Sequence, residues 1–283
     1  MADRLNVENG TVTLATEEGL RLERPEGALL EMLREELLPP IDGAALPDGV
    51  KFLHWRSPLL LVVHQLPPHV RLLRWITEDS PADYGPGTRY RSVRLSMPYA
   101  ITLAMYFYHG DRLSLTGANE LYFRNEPLRA ESDTLGYPAL LNISCVTGPR
   151  RMRTWICTQH LRCPPKADWC RQLQMLLDHT WNGAFNRSSE RHEGLSSYGY
   201  SQGIHPDLHP VSRWEEASRA NDAFALTVPW KPAPMCLREL IDEMFRDCGT
   251  AASFCRRNGG GTPEGLVARF INYAQHPGRR KPR

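Results

Sequence analysis

Apolar and polar residues alternate along residues 1–24, on both sides of Asn9-Gly10. Alternation interrupted by an Asn-Gly pair is a strong short-range signal for a β-hairpin. From Pro25 the pattern changes, because leucine and methionine recur at helical spacing as far as Leu38. Pro39-Pro40 then ends the segment. The sequence therefore predicts an N-terminal hairpin followed by a helix.

A β-rich block follows the predicted helix. Six runs with strand composition are separated by turn residues: Val50–Trp55, Leu59–Gln65, Val70–Ile76, Tyr90–Met97, Ile101–Tyr108 and the short, edge-like Leu121–Phe123. No helical pattern separates these runs, so an antiparallel β-meander is expected rather than a parallel sheet. The predicted fold class is α+β, a meander with flanking helices.

The second half of the chain is predicted to be mostly loop and helix. Asp168 is placed to cap a helix that runs as far as Leu177. The polar stretch Gly183–Val211 has no periodicity and predicts a long loop, and Pro229–Pro234 predicts a stiff linker. Two final helices are expected over Leu237–Asp247 and Pro263–Ala274. The predicted organisation is a hairpin extension (1–24), an α+β domain (25–182), a loop and linker (183–234), and C-terminal helices with a basic tail (235–283).

Composition narrows the function classes. The 283 residues are 41% hydrophobic and 23% charged with a net charge of +2, so neither a disordered chain nor a nucleic-acid-binding protein is expected. No apolar run approaches the roughly 18 residues that a membrane span needs. The first residues lack a basic segment followed by an apolar run, which predicts a cytoplasmic protein with its seven cysteines reduced.

The segment Trp155–Cys170 is the main candidate for chemistry, because it contains three cysteines and a histidine. Cys157 is a candidate nucleophile, since nearby positive charge lowers the pKa of a thiol. The basic residues around it are Arg150, Arg151, Arg153, His160, Arg162 and Lys166, and no acidic residue lies between Asp133 and Asp168. The alternative for Cys157 is a small buried hydrophobic residue.

The same segment also contains a candidate metal site. Cys157, His160, Cys163 and Cys170 have the spacing C-x2-H-x2-C-x6-C. Zinc in structural sites is held by four cysteine or histidine ligands, often in closely spaced pairs. A structural zinc site is therefore an alternative to a nucleophilic Cys157.

The order of the elements resembles that of ubiquitin-conjugating enzymes over about residues 28 to 180. Tyr137–Ile143 is similar to the segment that bears the family's His-Pro-Asn motif, and Trp155–Cys157 is similar to the segment that ends at its catalytic cysteine. Pro164-Pro165 and Trp169 match what usually follows. The pattern is closest in style to divergent bacterial members, including the B proteins of PRTRC systems.

The resemblance implies a bacterial protein that carries a ubiquitin-like modifier as a thioester on Cys157 and transfers it to an amine. It implies that Asn142 stabilises the oxyanion and that His160 or His179 assists proton transfer. The implied partners are an activating-enzyme-like protein and a ubiquitin-like modifier, with no cofactor.

The chain departs from the family pattern in three ways. Leu140 and Leu141 replace the motif's histidine and proline, and Asn142 precedes Cys157 by fifteen residues, about twice the family's separation. Cys145 lies closer to Asn142 and is an alternative nucleophile. Two other functions remain open: a non-catalytic α+β interaction or scaffold protein, with or without zinc, and an unrelated cysteine enzyme that uses His179 or His192 as its base.

Overall fold

The structure is a computed structural model, and it describes residues 4–8, 11–15, 21–25, 46–56, 58–109, 112–147, 152–164 and 167–258. The fold is mixed α+β, with a curled antiparallel sheet and a few helices. The helix predicted after Pro25 and the last predicted helix, Pro263–Ala274, lie outside these ranges. Within them, no helix is both long enough and apolar enough to cross a membrane.

The strands are, in chain order, β1 (Arg4–Glu8), β2 (Thr11–Ala15), β3 (Arg21–Pro25), β4 (Val50–Arg56), β5 (Leu59–Leu66), β6 (His69–Ile76), β7 (Tyr90–Met97), β8 (Tyr99–His109), β9 (Arg112–Arg124), β10 (Thr134–Gly136), β11 (Ile143–Thr147), β12 (Met152–Ile156), β13 (Ala184–Phe185) and β14 (Pro232–Cys236). The helices are α1 (Trp169–Asn182), α2 (Ser188–His192), α3 (Ser197–Tyr200), α4 (Val211–Ala220) and α5 (Leu237–Asn258), with a 3-10 turn at Phe224–Leu226. Asp168 caps α1 as predicted, because its carboxylate accepts a hydrogen bond from the backbone of Arg171.

The main sheet has the strand order β14-β10-β9-β8-β5-β4, with antiparallel neighbours throughout. The strands predicted between Val50 and Tyr108 are confirmed as β4 to β8. The predicted meander, in which each strand pairs with the next one along the chain, is wrong, because β5 pairs with β8 and β6 pairs with β7.

β5 with β6, and β7 with β8, form the two arms of one long bent ribbon. Leu66 of β5 pairs with Ala100 of β8, and on the other side of the bend His69 of β6 pairs with Met97 of β7. Pro67-Pro68 and Pro98 interrupt the two arms at the same level, because proline has no N–H for the ladder.

β9 is longer and more central than the sequence predicts. The expected strand was the short, edge-like Leu121–Phe123, whereas β9 contains thirteen residues and pairs with both β8 and β10. A register shift between β8 and β9 explains the difference. At this shift, the side chain of Asn119 replaces the missing backbone partners. It accepts a hydrogen bond from the backbone N–H of Met105 and donates one to the carbonyl of Thr116. The residues at this irregularity, Thr116 to Asn119, are small or polar, so their composition is that of a loop.

Both faces of the main sheet are buried. Because side chains alternate along a strand, Leu60 and Val62 of β5 pack in the core that contains α1, whereas Leu61 and Val63 pack in the core that contains α5. A fully buried leucine or valine side chain stabilises the fold by about 1.5–3 kcal/mol. The continuous apolar run of β5 is therefore that of a strand covered on both sides.

The predicted loop Gly183–Val211 is instead an ordered segment packed into the core. It contains β13, α2 and α3. Four of its five serines are buried with hydrogen-bond partners; for example, Ser197 donates to the carbonyl of Leu140, and Ser196 donates to Glu190. A polar composition normally indicates exposure, but small hydroxyl groups with internal partners can be buried.

α4 was not predicted, and it covers the edge of β7. Glu215 accepts a hydrogen bond from the backbone N–H of Arg94, and Ser218 accepts one from the backbone N–H of Ser96. Side chains of α4 thus satisfy backbone groups that an uncovered edge strand would expose.

The two ends of the described chain differ from the predictions in detail. β1 and β2 pair on either side of Asn9-Gly10, and β3 adds a third strand to the predicted hairpin. The predicted linker Pro229–Pro234 contributes to β14, an edge strand, where proline is tolerated. α5 continues eleven residues beyond the predicted end at Asp247.

Candidate functional site

The β11–β12 hairpin brings Asn142 and Cys157 to the same end. The last pair of the ladder is Ile143 with Ile156, so Asn142 directly precedes the ladder and Cys157 directly follows it. Directly opposed residues in an antiparallel pair have Cα atoms about 4.5–5.5 Å apart. Asn142 and Cys157 therefore lie across from each other at what we call the open end of the hairpin. The hairpin thus brings together Asn142 and Cys157, which are fifteen positions apart in the sequence.

β12 is held against β9 by specific hydrogen bonds. The indole Nε1 of Trp155 donates to the carbonyl of Gly117 at 2.8 Å, and Thr154 Oγ1 accepts from the backbone N–H of Leu121 at 3.1 Å. The Thr154 side chain is buried, so its hydrogen bond is shielded from water. These contacts fix the strand that leads into Cys157.

The last turn of α1 contacts both residues of the open end. His179 Nε2 lies 2.8 Å from the carbonyl oxygen of Cys157, and Asn142 Nδ2 donates to the carbonyl of Thr180 at 3.1 Å. A carbonyl oxygen can only accept, so His179 Nε2 carries the hydrogen in this contact. The carbonyl of Thr180 is one of the last four of α1, which have no partner within a helix. The open end is thus docked on a helix terminus.

The Asn142 amide is only partly satisfied. Its Oδ1 atom is buried and has no hydrogen-bond partner among the described residues. An amide nitrogen carries two hydrogens, and the bond to Thr180 uses one of them. Asn142 therefore keeps one N–H and one acceptor oxygen at the open end.

The thiol of Cys157 is half-buried, and its pKa is raised above the ordinary value. Burial is the main cause, because it disfavours the thiolate. The negative charge of Glu193 also raises the pKa, whereas the backbone N–H of Gln159 lowers it. At neutral pH the group is therefore a protonated thiol rather than a preformed thiolate.

The predicted basic surroundings do not reach this thiol through the residues that are described. Arg153 points into the interior, where it forms ion pairs with Glu120 and Asp247. Arg162 donates to the carbonyls of Gln159 and Leu161. Arg150, Arg151 and Lys166 lie outside the described residues. Clustering along the sequence did not predict the direction of these side chains.

No zinc site is assembled by the part of the chain that the structure describes. That part includes Cys157, His160, Cys163 and Cys170, but no group of three or more histidine, cysteine, aspartate or glutamate side chains is placed to hold a metal ion. Burial raises the pKa of the Tyr106 hydroxyl, and the nearby thiols of Cys163 and Cys170 raise it further. Cys157 instead lies beside α1 and Glu193.

The remaining predicted residues are dispersed. Cys145 is in the core on the α5 side of the sheet, and burial raises the pKa of its thiol to about 12. His160 is exposed in the turn after β12, with no hydrogen bond to another described residue. His192 packs against the ring of Tyr84, with ring centroids 5.0 Å apart. Of these three, none has a described contact with Cys157.

Two groups at the site were not predicted. Glu193 follows α2 and accepts a hydrogen bond from Ser144 Oγ at 3.1 Å, and the hydroxyls of Ser144 and Ser189 lie 2.9 Å apart. Thr180 contributes only its backbone carbonyl. Glu193 belongs to the aperiodic polar stretch after Gly183, so no sequence pattern distinguished it from its neighbours.

No protein-family model, curated protein or solved structure matches this chain significantly.

Proposed function

We propose that this protein is a ubiquitin-conjugating-like acyl carrier that holds a ubiquitin-like modifier as a thioester on Cys157 and transfers it to an amine. The observation that carries the proposal is the position of Asn142 across the open end of the hairpin from Cys157. An amide donor beside a thiol is the pairing that acyl transfer needs. The partners would be an activating-enzyme-like protein and the modifier.

In the first step, the thiolate of Cys157 attacks the carbonyl carbon of an incoming thioester. The new carbon–sulfur bond forms, the old one breaks, and the departing thiolate takes up the proton that the Cys157 thiol has lost. The free N–H of Asn142 donates to the oxyanion of the tetrahedral intermediate, while its other N–H remains bonded to Thr180. His179 positions the loop through the Cys157 carbonyl and does not act on the thiol.

In the second step, an amine attacks the same carbonyl carbon and the Cys157 thiolate leaves. The amine must lose a proton as the amide forms. Glu193 is the carboxylate whose charge reaches the Cys157 thiol, so it accepts that proton. The hydrogen bond from Ser144 holds one oxygen of Glu193 and leaves the carboxylate oriented.

The raised pKa of Cys157 suits a carrier. A thiol of higher pKa is ionised less often, but its thiolate is the stronger nucleophile and the poorer leaving group. A thioester on such a sulfur survives longer before an acceptor arrives. The described residues offer no histidine hydrogen-bonded to the sulfur that would activate water against it.

A model thioester tests the proposal without a cognate partner. The protein is incubated with the mercaptoethanesulfonate thioester of N-acetyl-Gly-Gly, and intact mass and peptide mapping locate the acyl group. We expect one adduct on Cys157 that hydroxylamine removes. Asn142→Ala should slow acylation by about 100-fold, the usual loss when one oxyanion donor is removed.

The matched control is Cys163→Ala, which removes another half-buried thiol six residues away. It should acylate at the wild-type rate, whereas Cys157→Ala should form no adduct at the open end. An adduct that persists in Cys157→Ala sinks the proposal. With an activating enzyme, its ubiquitin-like modifier and ATP, non-reducing electrophoresis should show the same dependence on Cys157.

A non-catalytic interaction protein is the second candidate. It is favoured by the half-buried, protonated state of the Cys157 thiol and by the bond to Thr180 that already uses one N–H of the Asn142 amide. Under this alternative, Cys157 and Cys163 would acylate at similar slow rates, and Asn142→Ala would change neither.

A further inference from the structure

A cleft of about 500 Å³ opens beside the candidate site, between the end of β6 and the segment that contains α2 and α3. Leu141, the neighbour of Asn142, forms part of its wall. Trp75 forms another part and is held by a stacked contact with Phe185, with ring centroids 5.4 Å apart. The walls of the cleft therefore include apolar side chains that belong to the core.

Two carboxylates line this cleft, those of Glu78 and Glu190. Burial raises the pKa of the Tyr198 hydroxyl, and the charges of both carboxylates raise it further. Both carboxylates are therefore close enough to act on this hydroxyl. Ser196 donates to one oxygen of Glu190 at 2.8 Å, which leaves the second oxygen for another donor. The carboxylates converge on one part of the cleft.

The positive groups of the cleft do not offset these charges. Arg187 is paired with Asp83, with Nη1 and Oδ1 3.7 Å apart. His209 is half-buried, and burial lowers its pKa, so the ring is neutral near pH 7. The cleft is thus negatively charged, with apolar walls.

We propose that this cleft binds the cationic side chain, lysine or arginine, of a partner polypeptide. The aliphatic part of such a side chain packs on Trp75 and Leu141 while its charged end reaches Glu78 and Glu190. Either head group can donate to both carboxylates, and Arg187 would oppose a second cation only weakly because Asp83 neutralises it. Binding needs neither Cys157 nor Asn142. That the bound segment belongs to the acceptor of the acyl group rests on the proposed function.

Binding of small probes tests the inference. Nα-acetyl-lysine methylamide and its arginine counterpart are titrated into the full chain and followed by two-dimensional NMR. We expect saturable shifts around Trp75 and Tyr198 with dissociation constants in the millimolar range. Each of Glu78→Gln and Glu190→Gln should weaken binding about three-fold and the double variant about ten-fold, as for partly exposed ion pairs. Glu126→Gln, an exposed carboxylate outside the cleft, is the matched control and should have no effect.

Three results would overturn the inference. Equal binding of the neutral Nε-acetyl-lysine probe would show that only the apolar walls contribute. Tighter binding of Nα-acetyl-glutamate methylamide would assign the cleft to anions through Arg187. Unchanged lysine and arginine binding in the double variant, with an unaltered unfolding curve, would place the site elsewhere. Cys157→Ser should bind the probes as the wild type does, so a failure of acyl transfer and a failure of this cleft are separable.

Discussion

The two ends of the β11–β12 hairpin have opposite environments although they are built from the same short strands. Towards the tip, Cys145 and Thr154 are buried, and Arg153 is enclosed in ion pairs with Glu120 and Asp247. At the open end, Asn142 and Cys157 are half-buried and contact the last turn of α1. The tip side is fixed in the core, whereas the open end is partly accessible to solvent.

This difference indicates that the two ends of the hairpin have different roles, one in stability and one in reactivity. A reactive group must be accessible, yet it must also be held within a narrow range of positions. The hairpin achieves both because the buried tip side fixes the strand that ends at Cys157. We therefore expect substitutions on the tip side to change stability most, and substitutions at the open end to change reactivity.

The largest effect is expected from Glu120→Ala. This change removes the buried carboxylate that pairs with Arg153 and accepts from the hydroxyl of Tyr122 at 2.6 Å. Arg153 keeps its ion pair with Asp247, but the change leaves Arg153 Nε and the Tyr122 hydroxyl without their carboxylate partner in a buried site, which costs about 1–3 kcal/mol. Urea denaturation should show this loss in the free energy of unfolding.

Glu126→Gln, at an exposed position two residues after the end of β9, serves as the control and should change stability by less than about 0.5 kcal/mol. A loss below about 1 kcal/mol for Glu120→Ala would mean that the tip side is not the anchored end.

The second prediction concerns alkaline pH. Burial raises the pKa of Cys145 and of Cys248 to about 12 from an ordinary value near 9. Between pH 9 and pH 12 the folded state keeps protons that the unfolded chain has lost, so stability falls as pH rises. The slope is about 1.4 kcal/mol per pH unit for each thiol. The stability difference between wild type and Cys145→Ala should shrink at that rate in urea titrations above pH 9; a constant difference would contradict the burial of Cys145.

The third prediction compares the two thiols of the hairpin directly. Near pH 9, a thiol with a pKa of about 12 is ionised in roughly one molecule per thousand. Cys157 is accessible, so iodoacetamide should modify it at least about ten-fold faster than Cys145, as measured by peptide mass spectrometry. Comparable rates would show that the tip side opens as readily as the open end.

The smallest effect is expected from His179→Phe. It removes the hydrogen bond to the Cys157 carbonyl, which stabilises the fold by about 1 kcal/mol. His179→Gln retains a donor and should recover part of the loss. The fold should stay intact, while alkylation of Cys157 should accelerate as its loop loosens. If alkylation is unchanged in both variants, α1 does not position the open end.

The sequence predicted the elements that have strong local signals. The strands from Val50 to Tyr108 were predicted from alternation and apolar runs, and the start of α1 from the capping residue Asp168. It underestimated β9, because a bulge filled by Asn119 resembles a loop. It predicted a loop over Gly183–Val211, because buried serines satisfied by internal hydrogen bonds have the composition of a surface.

The candidate site was predicted in part. Asn142, Cys157 and His179 were singled out, but Glu193 was not. The direction of Arg153, into the core and away from the thiol, also required the fold.

The sequence by itself determined the α+β class, the positions of the central strands along the chain and the choice of Cys157 and Asn142 as candidates, because these depend on residue type and local periodicity. Only the tertiary structure decided how a fifteen-residue gap closes, which charges face the thiol and which cysteine is buried. Those properties depend on register and on packing between residues far apart in the chain. Local pattern carries no information about either.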